Sequence, residues 1–372
     1  MGRSQMKLSL TPWGVLLSIL PFLSLAAALS VSNQQTQIRI GTRPSPLARV
    51  QAQAVAEALQ TITTTSVTQT RIVVIQSSGD RTTPIAETQN VPLAVRAVDF
   101  TGTLDDALLS NEIDVGVHSL KDIPPTARWC EGLHIACCLA REDPSDVLVG
   151  PYPTIMSLPN GAKVGTSSVR RQAQLLALRP DLELINLRGN VEARLNVLHE
   201  GSVDALILAS AGLNRLQRTM DSDLSEAQWH SIPPEDMLSG ACQGIVAVVC
   251  RSTDSSLISM LEQISDKDSS IAAAAERSFL DVLDSFSPSH YHGLTETAWV
   301  GRPPLATLLE RCDNTEGNGE WSFRGLLARP DGLKVLRTCQ TVANELSVED
   351  AIKLGGECAQ HLLEKAGPDF YQ

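Results

Sequence analysis

The chain has 372 residues, 43% of them hydrophobic and 19% charged, with a formal net charge of −12. That much apolar content supports packed cores in two or three units and excludes an intrinsically disordered chain. The acidic balance excludes a general nucleic-acid binder, which needs a basic surface to displace phosphate counterions, so no nucleic-acid partner is expected.

The charge is unevenly spread: residues 1–56 contain no Asp or Glu but carry Arg3, Lys7, Arg39, Arg43 and Arg49. Arg3 and Lys7 precede an apolar run at 13–29, broken by Pro21 and ending in Ala26, Ala27, Ala28 and Ser30. This is the layout of a cleaved secretory signal, too short and too interrupted for a stable membrane span of about 20 residues. Residues 1–30 are therefore set apart from the fold, and 31–37 read as a short targeting extension. Such a tandem suits entry into the stroma of a complex plastid, whereas a secreted protein needs only its first part. Eight cysteines include no CxxC pair, and His290 and His292 have only Asp284 and Glu296 nearby, so no metal site is expected.

Residues 37–41 (QIRIG) predict a strand and 46–59 a helix, opened by Ser45 at the N-cap and Pro46 at the first helical position. The loop between them lies at a strand end and a helix N-terminus, where exposed N–H groups favour anions, and Arg43 adds a bidentate donor for carboxylate. A second strand follows at 67–76 and a helix at 104–109. The apolar, β-branched run at 113–118 then stops abruptly, setting His118, Lys121 and Asp122 within a few residues of one another. It reads as a buried parallel strand delivering polar groups to a sheet edge, the place where open α/β sheets bind ligands; a strand followed by an ordinary polar turn is the alternative. A strand at 133–139 and a turn at 141–144 close the first α/β unit.

The second unit repeats the logic. A strand at 163–165 ends in Thr166, Ser167 and Ser168, and the helix at 169–178 carries Arg170 and Arg171 in its first turn. Basic groups there oppose the helix dipole unless an anion is close by. The strand at 182–186 leads to Arg188, Gly189 and Asn190, where glycine permits a tight turn before a helix bearing Arg194. A strand at 203–208 precedes a helix at 209–216 with Arg215 near its end. Arginines gathered just after strands, in an acidic chain without a GxxxxGK loop, imply a cleft for a ligand with several carboxylates. Beyond Pro233 and Pro234 the pattern changes to a strand at 245–250, a helix at 272–283, a hairpin of 321–328 with 333–338, and a last helix at 347–365 whose SVED start resembles a capping box.

TRPSPLA (42–48), HSLKD (118–122), GTSSVRRQAQL (165–175), LRGNVEARL (187–195) and LASAGLNRL (208–216) resemble, in order, the signature segments of the porphobilinogen deaminase (hydroxymethylbilane synthase) family. The resemblance implies an α/β fold with two periplasmic-binding-protein-like type II domains, 38–140 with 238–256 and 141–237, plus a small C-terminal α+β domain, 257–372, carrying the cofactor loop. It implies a monomeric transferase that joins four porphobilinogen molecules head to tail with loss of ammonia, in tetrapyrrole biosynthesis, on a dipyrromethane cofactor. By the same resemblance Asp122 is the catalytic carboxylate, stabilising the positive pyrrole nitrogen of an azafulvene. Arg43, Ser45, Lys121, Thr166, Ser167, Ser168, Arg170, Arg171, Arg188, Gly189, Asn190, Arg194 and Arg215 would bind substrate and cofactor.

Two segments depart from the family pattern. The helix pattern ERxFLxxL is kept at Glu276, Arg277, Phe279, Leu280 and Leu283, but the position of the family's cofactor-bearing cysteine falls on Ser287, or on Gly301 when aligned from the following segment. No cysteine lies between Cys250 and Cys312, and a serine hydroxyl is a far poorer nucleophile than a thiolate. Residues 95–105 (VRAVDFTGTLD) stand where the family has a GGKGLF segment and a lysine. Two further readings stay open: a paralogue that binds porphobilinogen or a linear tetrapyrrole without turnover, and an exported solute-binding protein for a carboxylated ligand. A carboxylate such as Asp122 beside a polyanion counts against the second.

Overall fold

The computed structural model describes residues 37–62, 69–76, 101–126, 129–219, 227–285, 303–312, 319–342, 345–367 and 370. The signal region, residues 95–100 of the second departure and Ser287 lie outside them. The first sheet is built from β1 (Gln37–Thr42), β2 (Gln69–Val74), β3 (Val115–Ser119), β4 (Leu133–Cys138) and a late strand, β10 (Val246–Arg251), in the order β2-β1-β3-β10-β4. Helices α1 (Pro46–Ile62) and α2 (Gly102–Leu109) belong to the same unit. β1 runs parallel to β2 and β3, whereas β10 is antiparallel to both of its neighbours.

The second sheet has the same plan. Its strands are β5 (Asp146–Val149), β6 (Lys163–Gly165), β7 (Glu183–Ile185), β8 (Ala205–Ala209) and β9 (Trp229–Ser231), ordered β7-β6-β8-β5-β9, with α3 (Val169–Leu178), α4 (Val191–His199) and α5 (Ser210–Gln217) between them. β6 is parallel to β7 and β8, and β5 is antiparallel to β8 and β9. In each sheet the antiparallel strand is the first one made after the chain crosses over. The two crossings pair with each other: Glu142 N donates to Gly244 O at 3.1 Å, and Arg141 Nε to Gln243 O at 2.8 Å. Gly244 sits at φ +92°, and a Cβ there would fall 2.1 Å from Glu142 O, so only glycine fits this approach.

The remaining chain forms α6 (Ser255–Glu262), the long α7 (Lys267–Ser285), a three-stranded antiparallel sheet of β11 (Leu305–Cys312), β12 (Glu320–Ala328) and β13 (Val335–Val342), and α8 (Val348–Ala366). Ser347 caps α8 by accepting from Asp350 N, as the SVED motif predicts. The sequence pattern does not mark β5, β9, β11 or α6, and α7 extends beyond the expected 272–283 at both ends. The largest core joins the first sheet to this third unit through Ile113, Leu120, Phe279, Phe323 and Leu354, with the Phe279 and Phe323 rings 5.6 Å apart. A fully buried carboxylate locks the junction: Glu276 accepts from Arg141 Nη1 at 2.6 Å, from Leu309 N at 2.8 Å and from Cys242 N.

Helices α7 and α8 meet closely at Gly355, where a Cβ would lie 2.0 Å from Ala275 O. Alanine gains about 1 kcal/mol of helix propensity over glycine, but a backbone carbonyl cannot yield as a side chain does. Gly355→Ala is expected to destabilise the protein by about 1–3 kcal/mol, read as a lower urea midpoint.

Candidate active site

The strand ends expected to carry function converge on one cavity of about 700 Å³ between the two sheets, within the usual size range of small-molecule sites. From the first unit come Arg43 and Ser45 in the β1–α1 loop, and Lys121 and Asp122 in a short 3-10 turn directly after β3. Ser45 Oγ accepts from Ala48 N at 3.3 Å, fixing the start of α1 beside the cavity. From the second unit come Ser167, Arg171, Arg188, Gly189, Asn190, Arg194 and Arg215. Gly189 adopts φ +114°, and Asn190 caps α4 by accepting from Ala193 N at 2.9 Å. Thr166, Ser168 and Arg170 do not line the cavity, while Gln51, Ser119, Glu192 and Gln243 do, without any sequence rule having singled them out.

Arg170 and Arg171 are both buried, and the anion beside them belongs to the chain itself. Asp146, wholly buried at the start of β5, accepts from Arg170 Nη1 and Arg171 Nη2, each at 2.7 Å. Arg170 Nη1 also reaches Leu238 O, and Arg171 Nη1 reaches Ile207 O. Burial alone would raise the Asp146 carboxyl, but the charges of Arg170 and Arg171 and the hydrogen bonds from Arg170 and Gln243 hold it well below the usual carboxylate range. Arg171 thus reaches the cavity with each of its three guanidinium nitrogens already making one internal hydrogen bond, and it brings its charge to the wall.

Lys121 is an exposed side chain of the 3-10 turn and lines the cavity. The protein packed around the cavity, with the charges of Arg171 and Arg170, pulls its ammonium below the usual lysine value, against the opposing pull of Asp122 and Asp146. Arg194 is lowered to about 10 by burial and by Arg171, and its Nε donates to Gly189 O at 3.0 Å. Arg215 Nη2 donates to Gly244 O at 2.6 Å, tying a cavity arginine to the crossing. His118 is buried behind the site and held neutral, its imidazolium lowered to about 4 by burial and by Arg43; it does not line the cavity.

The cavity wall therefore carries six cationic side chains, Arg43, Lys121, Arg171, Arg188, Arg194 and Arg215, against the carboxylates of Asp122 and Glu192. In an acidic chain this concentration selects a ligand with several carboxylates. The family described as "Porphobilinogen deaminase, dipyromethane cofactor binding domain" matches residues 38–259. The chain belongs to the porphobilinogen deaminase family. It is 36% identical over 339 residues to "Porphobilinogen deaminase, chloroplastic" of Oryza sativa subsp. japonica, covering 90% of this chain and 85% of that one. To "Porphobilinogen deaminase" of Paracoccus denitrificans it is 38% identical over 342 residues, covering 91% and 97%. Among solved structures it is similar to the periplasmic aliphatic sulphonate binding protein SsuA from Escherichia coli, at 14% identity and a TM-score of 0.35 over 67% of this chain and 70% of that one.

Dipyrromethane is the cofactor of this family, and the donor set suits it: two joined pyrroles that each bear an acetate and a propionate present four carboxylates to an arginine-rich wall. The described part of that wall includes no cysteine, and position 287 lies outside the described residues.

Removing the charge of Asp146 would leave two buried guanidinium groups unneutralised. Asp146→Asn is expected to cost about 3–5 kcal/mol of stability, measured by denaturant unfolding. Because the native carboxyl ionises well below its unfolded value, the wild-type ion pairs contribute fully above about pH 4 and are lost only as the pH falls through the depressed native value.

Proposed function

We propose that the cavity is where this chain carries out hydroxymethylbilane synthesis, the stepwise head-to-tail condensation of four porphobilinogen molecules with release of ammonia, followed by hydrolysis in which water cleaves the finished tetrapyrrole from its primer and supplies the hydroxyl. The observation that carries this reading is a single turn, Lys121 and Asp122, placing a carboxylate within a ring of cations drawn from both sheets. A site built only to hold polycarboxylates gains nothing from Asp122, whereas a site that must stabilise a transient cation needs it. In each condensation the aminomethyl C–N bond of porphobilinogen breaks and ammonia departs. A C–C bond forms between that methylene carbon and the free α-carbon of a neighbouring pyrrole, which gives up its α-proton. Asp122 is assigned to hold the pyrrole N–H of the deaminated unit and to balance the positive charge that develops there.

Arg43, Arg188, Arg194 and Arg215, with Lys121, are assigned to the acetate and propionate carboxylates; Ser45, Ser167, Gly189 and Asn190 supply neutral donors beside them. Arg171 adds charge at the wall, and Arg170 supports it from behind through Asp146. The same groups would hold dipyrromethane, which when bound supplies the pyrrole α-carbon on which the first condensation starts. The division into 38–140 with 238–256, 141–237, and 257–372 belongs to this reading, supported by one sheet falling within each unit. A plastid address is likewise proposed, supported by the chloroplastic relatives in rice and pea and by the signal-like layout of residues 1–37.

Intact-protein mass spectrometry after incubation with porphobilinogen is expected to show a covalent dipyrrole adduct. No adduct together with no bilane formation would overturn the reading. Asp122→Asn should lower kcat by at least about 10²-fold while porphobilinogen binding, measured by calorimetry, stays near the wild-type value; undiminished turnover would remove Asp122 from the role assigned to it.

A further inference from the structure

Gln243 belongs to the returning crossing, just before β10, and only 1% of its surface is exposed, yet it lines the cavity. Both ends of its side-chain amide are engaged. Nε2 donates to Pro144 O at 2.8 Å and to Asp146 Oδ1 at 2.9 Å, with Ser145 O at 3.3 Å, while Oε1 accepts from Lys121 Nζ at 3.2 Å. The orientation is forced, since a flipped amide would set its oxygen against three acceptors and its NH2 against an ammonium. The backbone is anchored as well, with Gln243 N donating to Gly240 O and Gln243 O accepting from Arg141.

We propose that Gln243 is a positioning residue: anchored to the 144–146 segment of the second unit, its carbonyl holds the Lys121 ammonium of the first unit at the cavity wall, in place for a substrate carboxylate. Four charged groups act on that ammonium: Asp122 on its own turn, Asp146 at the start of β5, and Arg170 and Arg171 from α3. Around the rest of the wall stand Arg43, Arg188, Glu192, Arg194 and Arg215. In so cationic a cavity a lysine left to itself would lose its proton readily or swing away. A neutral acceptor keeps it charged and placed without cancelling the charge that the substrate needs. A carboxylate at 243 would hold Lys121 more tightly but would neutralise it and confront Asp146.

The assignment deepens the reading of this cavity as the porphobilinogen site, and it is tested by a measurement that needs no turnover. In the full-length protein, Lys121 would be labelled with acetic anhydride from about pH 6 to about pH 11 and quantified by peptide mass spectrometry. The wild-type midpoint is expected below the ordinary lysine value of about 10.4. Gln243→Met, which removes the acceptor at similar size, should lower the midpoint by about one unit, and Gln243→Glu should raise it by at least as much. A purely structural residue would shift the melting temperature of both variants and leave the Lys121 midpoint where it was, and that result would overturn the proposal. Should neither variant fold, Gln243→Asn, which keeps the amide but draws it back by one methylene, carries the same readout, and a Lys121 midpoint equal to the wild-type value would overturn the proposal. A shifted midpoint in a protein that makes no bilane would retain the positioning role and reject the synthase reading instead.

Discussion

One buried carboxylate conditions the rest of the molecule. Asp146 opens β5 at the point where the chain enters the second sheet, and it neutralises two arginines from the first turn of α3. Without it, two guanidinium groups would face low-dielectric protein at a helix N-terminus, an arrangement that both burial and the helix dipole oppose. With it, α3 is fixed against β5 and Arg171 stands at the cavity wall with its geometry settled. Gln243 carries the same constraint across to Lys121, so a charge balance internal to the second unit also sets the position of a side chain in the first.

The third unit is joined to this arrangement through a second buried carboxylate. Glu276 on α7 receives Arg141 from the outgoing crossing, Cys242 N from the returning one and Leu309 N from β11. Arg277 and Asp281 on the same helix hold the backbone just past Asp122, at Pro124 and Thr126. The turn that presents Lys121 and Asp122 is therefore braced by α7 on one side and by the paired crossings on the other. Rigid support of this kind suits a carboxylate that must stabilise charge without reorganising as the reaction proceeds.

Much of the fold and site was legible because the signals were local. Ser45 followed by Pro46 marked α1, SVED marked α8, and the abrupt end of a β-branched run at 119–122 marked the turn with Asp122. The elements that stayed hidden are those whose identity depends on partners. β5 has four residues and β9 three, too few for alternation to register, and both become strands through pairing with distant segments. β11 reads as an undirected apolar run until β12 lies beside it.

The sequence by itself determined that arginines would follow the strands of two α/β units and that Asp122 would stand at a strand end, because capping, turn and periodicity signals act over a few residues. It also showed that the basic first turn of α3 called for an anion. Only the tertiary structure decided which anion: Asp146 lies 24 residues from Arg170 along the chain and 2.7 Å from it in space. It likewise decided that Arg170 stands behind the wall and Gln243 within it, since neither can be placed until the two crossings pair and bring the sheets together. Charge and local geometry are written residue by residue; the division of arginines between structure and ligand follows from contacts that exist only in the folded chain.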